Sequence, residues 1–157
     1  MKIPTTAAIR VLRANKVDFE AHVYKYEARG GTAVSARELG VPEAHVIKTL
    51  IMEDEKRQPL VVLMSGDKEV SVKNLARHLG VKTIKPCAPD VAQKHSGYQV
   101  GGTSPFGTRK TMPIYADPCV FEPERIYING GKRGLLVSIA PGVLEQVLKA
   151  EKVACSG

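Results

Sequence analysis

Two apolar runs, Val46 to Met52 and Leu60 to Met64, are joined only by the polar stretch Glu53 to Pro59. A parallel pair of strands needs a crossover of about a dozen residues or more, whereas antiparallel neighbours need only a short turn. These two runs are therefore expected to pair antiparallel. A second hairpin is expected between Arg125–Asn129 and Leu135–Ile139, turning at Gly130-Gly131. Val17 to Tyr24 alternates apolar and polar residues as a half-buried strand does, and Met112 to Ala116 reads as a further strand. Helices are expected after Pro4-Thr5 (with Ala8, Ile9 and Leu12 inward), over Ser35 to Leu39 before Gly40, after Ser71 up to Gly80, over Asp90 to Ser96, and from Pro141. Gly30-Gly31 reads as a loop, and the residues after the last helix as a frayed end. The sum is an α+β fold: a mixed, largely antiparallel sheet, curled and surrounded by short helices, in one domain over residues 1–157. One internal echo, Ala36-Arg37-Glu38-Leu39-Gly40-Val41 against Ala76-Arg77-His78-Leu79-Gly80-Val81, reads as two ordinary helix ends.

A chain of 157 residues buries roughly 68–70% of its unfolded surface, enough for a core without staples. The cysteines Cys87, Cys119 and Cys155 are odd in number, far apart and without a C-x-x-C, which suits free thiols in a reducing compartment. No signal-like segment, prenylation box or membrane-length apolar run is present, so the expected location is the cytoplasm. The net charge of +7 favours a polyanionic partner. His22, His45, His78 and His95 are widely separated, so no metal and no cofactor is expected.

The chemistry concentrates in two places. Lys48 sits inside Val46-Ile47-Lys48-Thr49-Leu50-Ile51-Met52, where a cation costs free energy unless something pairs with it. One reading is a pocket-wall ammonium for a phosphate, hydroxyl or carbonyl; the other is a lysine snorkelling from a strand end. The second place is Gly101-Gly102-Thr103-Ser104-Pro105-Phe106-Gly107. Adjacent glycines let backbone N–H groups approach a ligand, and successive amides can cradle an anion or an oxyanion. The loop is not a P-loop, because Thr108 stands where Lys is needed, and it lacks the second glycine of a nucleophile elbow around Ser104.

His22-Val23-Tyr24, Val46-Ile47-Lys48-Thr49-Leu50, Gly97 to Gly107 and Asn129-Gly130-Gly131-Lys132-Arg133-Gly134 together resemble the YbaK/EbsC family. These are free-standing aminoacyl-tRNA deacylases similar to the editing domain of bacterial prolyl-tRNA synthetases. The resemblance implies a mixed sheet partly closed into a barrel. It implies removal of a wrong amino acid, cysteine first, from tRNA(Pro), with prolyl-tRNA synthetase as a possible partner. Lys48 matches the lysine that holds the tRNA 3′ end, and Gly101 and Gly102 match the loop whose amides bind the aminoacyl carbonyl. Tyr24 matches a pocket tyrosine; Thr49, Ser104 and Asn129 are the other candidate substrate contacts. Arg109, Lys110, Lys132 and Arg133 are the candidate tRNA contacts. In the cysteine branch the substrate's own thiol attacks the ester, so no protein nucleophile is required. That branch carries a serine at Asn129 and an acid at Leu136, and the differences open the choice to another small residue such as alanine. Leu136 and the net charge also suit a non-catalytic tRNA- or synthetase-binding module.

Overall fold

The computed structural model describes residues 3–157. Thr6 starts α1 (Ala7–Ala14), its hydroxyl accepting from the Ile9 N–H at 3.1 Å. Ala8, Ile9 and Leu12 recur on one helical face and are fully buried. The strand expected from Val17 narrows to β1 (Glu20–Val23). Gly31, expected in a loop, already belongs to α2 (Gly31–Leu39). A 3-10 turn at Glu43–His45 leads into β2 (Val46–Asp54), which pairs antiparallel with β3 (Pro59–Ser65) as the short connection demanded. Then follow α3 (Val72–Leu79), β4 (Ile84–Pro86) and α4 (Pro89–Ser96). The chain closes with β5 (Ile114–Ala116), β6 (Ile126–Lys132), β7 (Leu135–Ile139), α5 (Val143–Leu148) and β8 (Glu151–Lys152).

The echoed segments are helix ends of one kind. Gly40 and Gly80 are both left-handed, with the Val41 and Val81 N–H groups donating back to the Ala36 and Ala76 carbonyls. This is the Schellman termination, which glycine satisfies without a Cβ penalty.

All eight strands join one sheet in the order β1-β7-β6-β2-β3-β5-β8, with β4 also on β2. It is mixed: β1–β7, β6–β7, β2–β3 and β2–β4 are antiparallel, while β2–β6, β3–β5 and β5–β8 are parallel. The sheet stays open, because β1 and β8 at its two ends do not pair with each other among the described residues. The partial barrel implied by the resemblance is thus not confirmed. One face of β6 and β7 (Ile126, Ile128, Leu135, Val137, Ile139) packs with α1 in the main core. The opposite face contributes to a small second cluster of Ala36, Val46 and Leu136.

The C-terminus is not frayed. Cys155 is fully buried. The Asp117 carboxylate accepts from the Cys155 and Ser156 N–H groups at 2.8 and 2.9 Å, and the Cys155 carbonyl accepts from Ser71 N–H at 2.6 Å. The tail is held because a buried acid needs donors and the tail's amides supply them.

Candidate active site

The edge of β2 that faces away from β3 has two partners with a gap between them. β6 covers Val46 and Ile47, and β4 covers Met52 to Asp54. Over this gap lies a cavity of about 890 Å³, lined by β2 from Val46 to Ile51, the start of α2, Tyr24, Tyr26, the turn at Val100-Gly101, Thr103, Asn129 and Leu136. Lys48 and Gly101, far apart in sequence, line this one cavity.

Strand alternation gives Lys48 the face shared by Val46 and Leu50. Its side chain is 20% exposed, and its Nζ donates to the Lys68 carbonyl at 2.7 Å and to Glu69 Oε1 at 3.2 Å. The cation is therefore paired, by a residue the sequence did not single out. The signal was available: once β3 folds back on β2, Lys48 stands opposite Met64, and the charged loop Asp67-Lys68-Glu69 follows within a few residues. Glu69 itself is 87% exposed.

The glycine loop is a tight turn pinned on all sides. The Gly102 N–H donates to the Gln99 carbonyl at 2.9 Å, with Gly101 at φ +87 in the third position of that turn, which favours glycine. Gly102 is buried, and a Cβ there would lie 2.8 Å from the Arg133 nitrogen. This corrects the expectation that both glycine amides face a ligand, because the Gly102 N–H is taken inside the turn. The Gly101 and Thr103 N–H groups have no acceptor among the described residues, and both residues line the cavity. Ser104 is also reassigned: it is fully buried, outside the cavity lining, and its Oγ accepts from Phe106 N–H at 3.1 Å. The loop is anchored below by Phe106, which is fully buried, and by the Tyr98 hydroxyl donating to the Phe106 carbonyl at 2.6 Å.

Asn129 fastens the turn to the β6–β7 hairpin. Its Nδ2 donates to the Gly101 carbonyl at 3.1 Å, and its Oδ1 accepts from the Gly131 and Lys132 N–H groups at 2.7 and 3.2 Å. A bulge between Asn129 and Lys132 turns the hairpin so that Arg133 also reaches the turn. Arg133 Nε donates to the Val100 carbonyl at 2.8 Å, and its guanidinium lies 5.2 Å from the Tyr26 ring centre. The expected hairpin turn thus sits at Arg133-Gly134, because Gly130 and Gly131 belong to β6. Of the four basic residues expected to meet tRNA, Arg133 lines the cavity, while Arg109, Lys110 and Lys132 are exposed outside its lining.

Tyr24 lines the cavity and packs on the Ala36, Val46 and Leu136 cluster. Thr49 lines it too, and its Oγ1 is buried with no hydrogen-bond partner. Cys87 also lines it; burial and the Glu53 carboxylate push its thiol up to about 11, so it stays protonated. No histidine lines the cavity among the described residues. No group of three or more metal-ligating side chains occurs among them either.

Residues 28–147 match the model of the aminoacyl-tRNA editing domain, and the chain belongs to that family. It is 29% identical over 137 residues to EbsC of Enterococcus faecalis, described as a candidate Cys-tRNA(Pro)/Cys-tRNA(Cys) deacylase, covering 87% of this chain and 84% of that protein. It is 28% identical over 143 residues to the proline–tRNA ligase of Streptococcus thermophilus, covering 89% of this chain but 22% of the ligase. The fold matches the crystal structure of a candidate trans-editing enzyme for prolyl-tRNA synthetase, with a TM-score of 0.83 at 19% identity over 99% of both chains. The family read from the sequence motifs is thereby borne out.

Proposed function

We propose that this chain is a trans-acting deacylase that clears a wrongly attached amino acid, cysteine first, from tRNA(Pro), and that residues 1–157 work as one editing domain in the cytoplasm. The observation that carries this reading is the lining of one cavity by Lys48 together with Gly101 and Thr103, whose amides have no acceptor among the described residues. Lys48 suits a phosphate or hydroxyl of the terminal nucleotide. Its present partner, Glu69, is largely exposed, and such surface pairs contribute only about 0–1 kcal/mol, so an incoming phosphate displaces it. The two amides suit the ester carbonyl, whose oxygen gains negative charge when attacked; one such donor contributes on the order of a hundred- to a thousandfold in rate.

The absence of a histidine from the described lining and the protonated state of Cys87 argue against a protein nucleophile. The attacking atom is then water or the substrate's own sulfur. In the latter route the cysteine sulfur bonds to its own carbonyl carbon and the ester C–O bond breaks. The ribose oxygen leaves with the thiol proton, and water then opens the thiolactone. The apolar side chains of Val46 and Leu136 in the cavity lining suit a small uncharged side chain, which keeps alanine as the second candidate.

The test is a panel of tRNA(Pro) charged with cysteine, alanine or proline, with and without prolyl-tRNA synthetase. Faster clearance of the cysteine or alanine ester than of the proline ester is expected. Clearance of all three at the uncatalysed rate under both conditions refutes the reading and favours a non-catalytic binding module.

A further inference from the structure

The gap in the edge of β2 leaves main-chain groups unspent. The ladders stop at Ile47 on the β6 side and at Met52 on the β4 side. On that same side the Ile51 carbonyl accepts from Cys87 N–H at 3.0 Å. In an extended strand the N–H and C=O of one residue point the same way, and alternate residues point to opposite neighbours. The Ile51 bond thus fixes the direction of Thr49: its N–H and C=O project into the gap, between the ends of β6 and β4. Unpaired main-chain groups on a strand edge are a ready template for pairing with another molecule. The Oγ1 of the same residue is the one buried side-chain oxygen or nitrogen without a partner among the described residues. Small apolar residues, Pro89, Ala92 and Val100, line the same cavity, and Val100 is a large hydrophobic residue left 50% exposed.

An N–H and a C=O side by side on a strand edge complement any planar ligand edge that presents an acceptor beside a donor. Adenine offers N1 as the acceptor and its N6 amino group as the donor. Apolar groups above and below such a slot would cover the faces of the ring. We propose that the unpaired edge of β2 at Thr49 is a nucleobase slot that reads the adenine of the substrate's 3′-terminal nucleotide through main-chain hydrogen bonds. The inference deepens the deacylase reading and rests on it for the identity of the ligand. It places base recognition on the residue next to Lys48, so that base and phosphate or ribose of one nucleotide are held by consecutive positions of one strand.

Two arms test it. In the first, tRNA(Pro) carrying the same mischarged amino acid is prepared with a 3′-terminal adenosine or a 3′-terminal inosine. Hypoxanthine reverses the donor and acceptor at these two positions, so deacylation (kcat/KM) should fall about ten- to a hundredfold, from the loss of two hydrogen bonds. Equal rates for the two ends overturn the slot while leaving the deacylase reading intact. In the second arm no turnover is needed. Adenosine is titrated into isotope-labelled protein, and the Thr49 amide resonance is followed against an inosine titration. A saturable shift of the Thr49 amide with adenosine alone supports the slot. No shift, or the same shift with both nucleosides, overturns it even if the deacylase reading fails for its own reasons. Thr49→Val, which removes the hydroxyl and keeps the main chain, should preserve the preference for adenosine over inosine; loss of that preference would assign recognition to the side chain instead.

Discussion

Replacing Gly101 by alanine tests the diglycine turn at its most constrained point. Gly101 has φ +87, a region that costs an ordinary residue roughly 1–2 kcal/mol. A Cβ built there falls onto the Tyr26 hydroxyl and comes within 3.0 Å of two ring carbons. Real Cβ atoms do not tolerate such contacts, so the Tyr26 ring must move off the turn. Arg133 lies over that ring, and an exposed stack of this kind contributes about 0.5–1 kcal/mol. The local cost is then about 1.5–3 kcal/mol, concentrated in the turn whose cavity-lining residues Gly101 and Thr103 carry unpaired amides. Misplaced amides reduce carbonyl polarisation, and loss of one such donor costs on the order of a hundred- to a thousandfold. Single-turnover deacylation of a mischarged tRNA(Pro) by Gly101→Ala should therefore slow by at least about a hundredfold, while the melting temperature drops modestly. Combining Gly101→Ala with Tyr26→Ala removes the clash, leaving the φ penalty and the loss of the Arg133 stack, so part of the rate should return. An unchanged rate for Gly101→Ala would refute the role given to these amides, and a double variant no better than the single one would refute the clash as the cause.

Asn129→Ala removes one hydrogen bond from the hairpin to the Gly101 carbonyl and two within the hairpin's own bulge, each contributing about 0.5–1.5 kcal/mol; kcat should fall more than KM rises, and Asn129→Asp, which keeps only the acceptor, should lie between wild type and Asn129→Ala. Asp117 is held below the usual carboxylate range: burial opposes this, but the Cys119 thiol and the N–H groups of Cys119, Cys155 and Ser156 outweigh it. Its stabilisation is thus present above the unfolded carboxylate value and is lost as pH falls through the lower folded value. Thermal melts should accordingly show Asp117→Asn less stable than wild type at neutral pH and the difference closing in acid. Burial pushes the Cys87 and Cys155 thiols up to about 11, so native protein at pH 8 should resist alkylation at both and react on unfolding; rapid native labelling of Cys87 would contradict its protonated, buried state.

Local signals in the chain were strong wherever one residue type decides a backbone conformation. Gly40, Gly80 and Gly97 ended their helices as the sequence indicated, each with positive φ. The β2–β3 hairpin followed from the length of one connection. What was not legible depended on pairing across the sheet. β4 and β8 are three and two residues long, too short to show alternation, and exist because a neighbouring edge was free. The gap over Thr49 is defined by where those neighbours stop, so no local pattern announces it. At the site, Lys48, Gly101, Asn129 and Tyr24 were legible as motif residues and do line the cavity. Ser104 looked like a ligand contact because a serine in a glycine loop is ambiguous until its burial is known. Arg133 was legible as a candidate tRNA contact, but its bond to the Val100 carbonyl depends on the bulge in β6, which no local pattern shows.

The most direct measurement is single-turnover deacylation of Cys-tRNA(Pro) by wild type, Lys48→Ala and Lys48→Arg under identical conditions, with circular dichroism to show that all three fold. Convergence of the ammonium and the loop amides on one ester predicts rapid clearance by wild type, a fall of on the order of a hundredfold or more for Lys48→Ala, and partial recovery with Lys48→Arg. Wild type and Lys48→Ala clearing the ester at the same enhanced rate would contradict it.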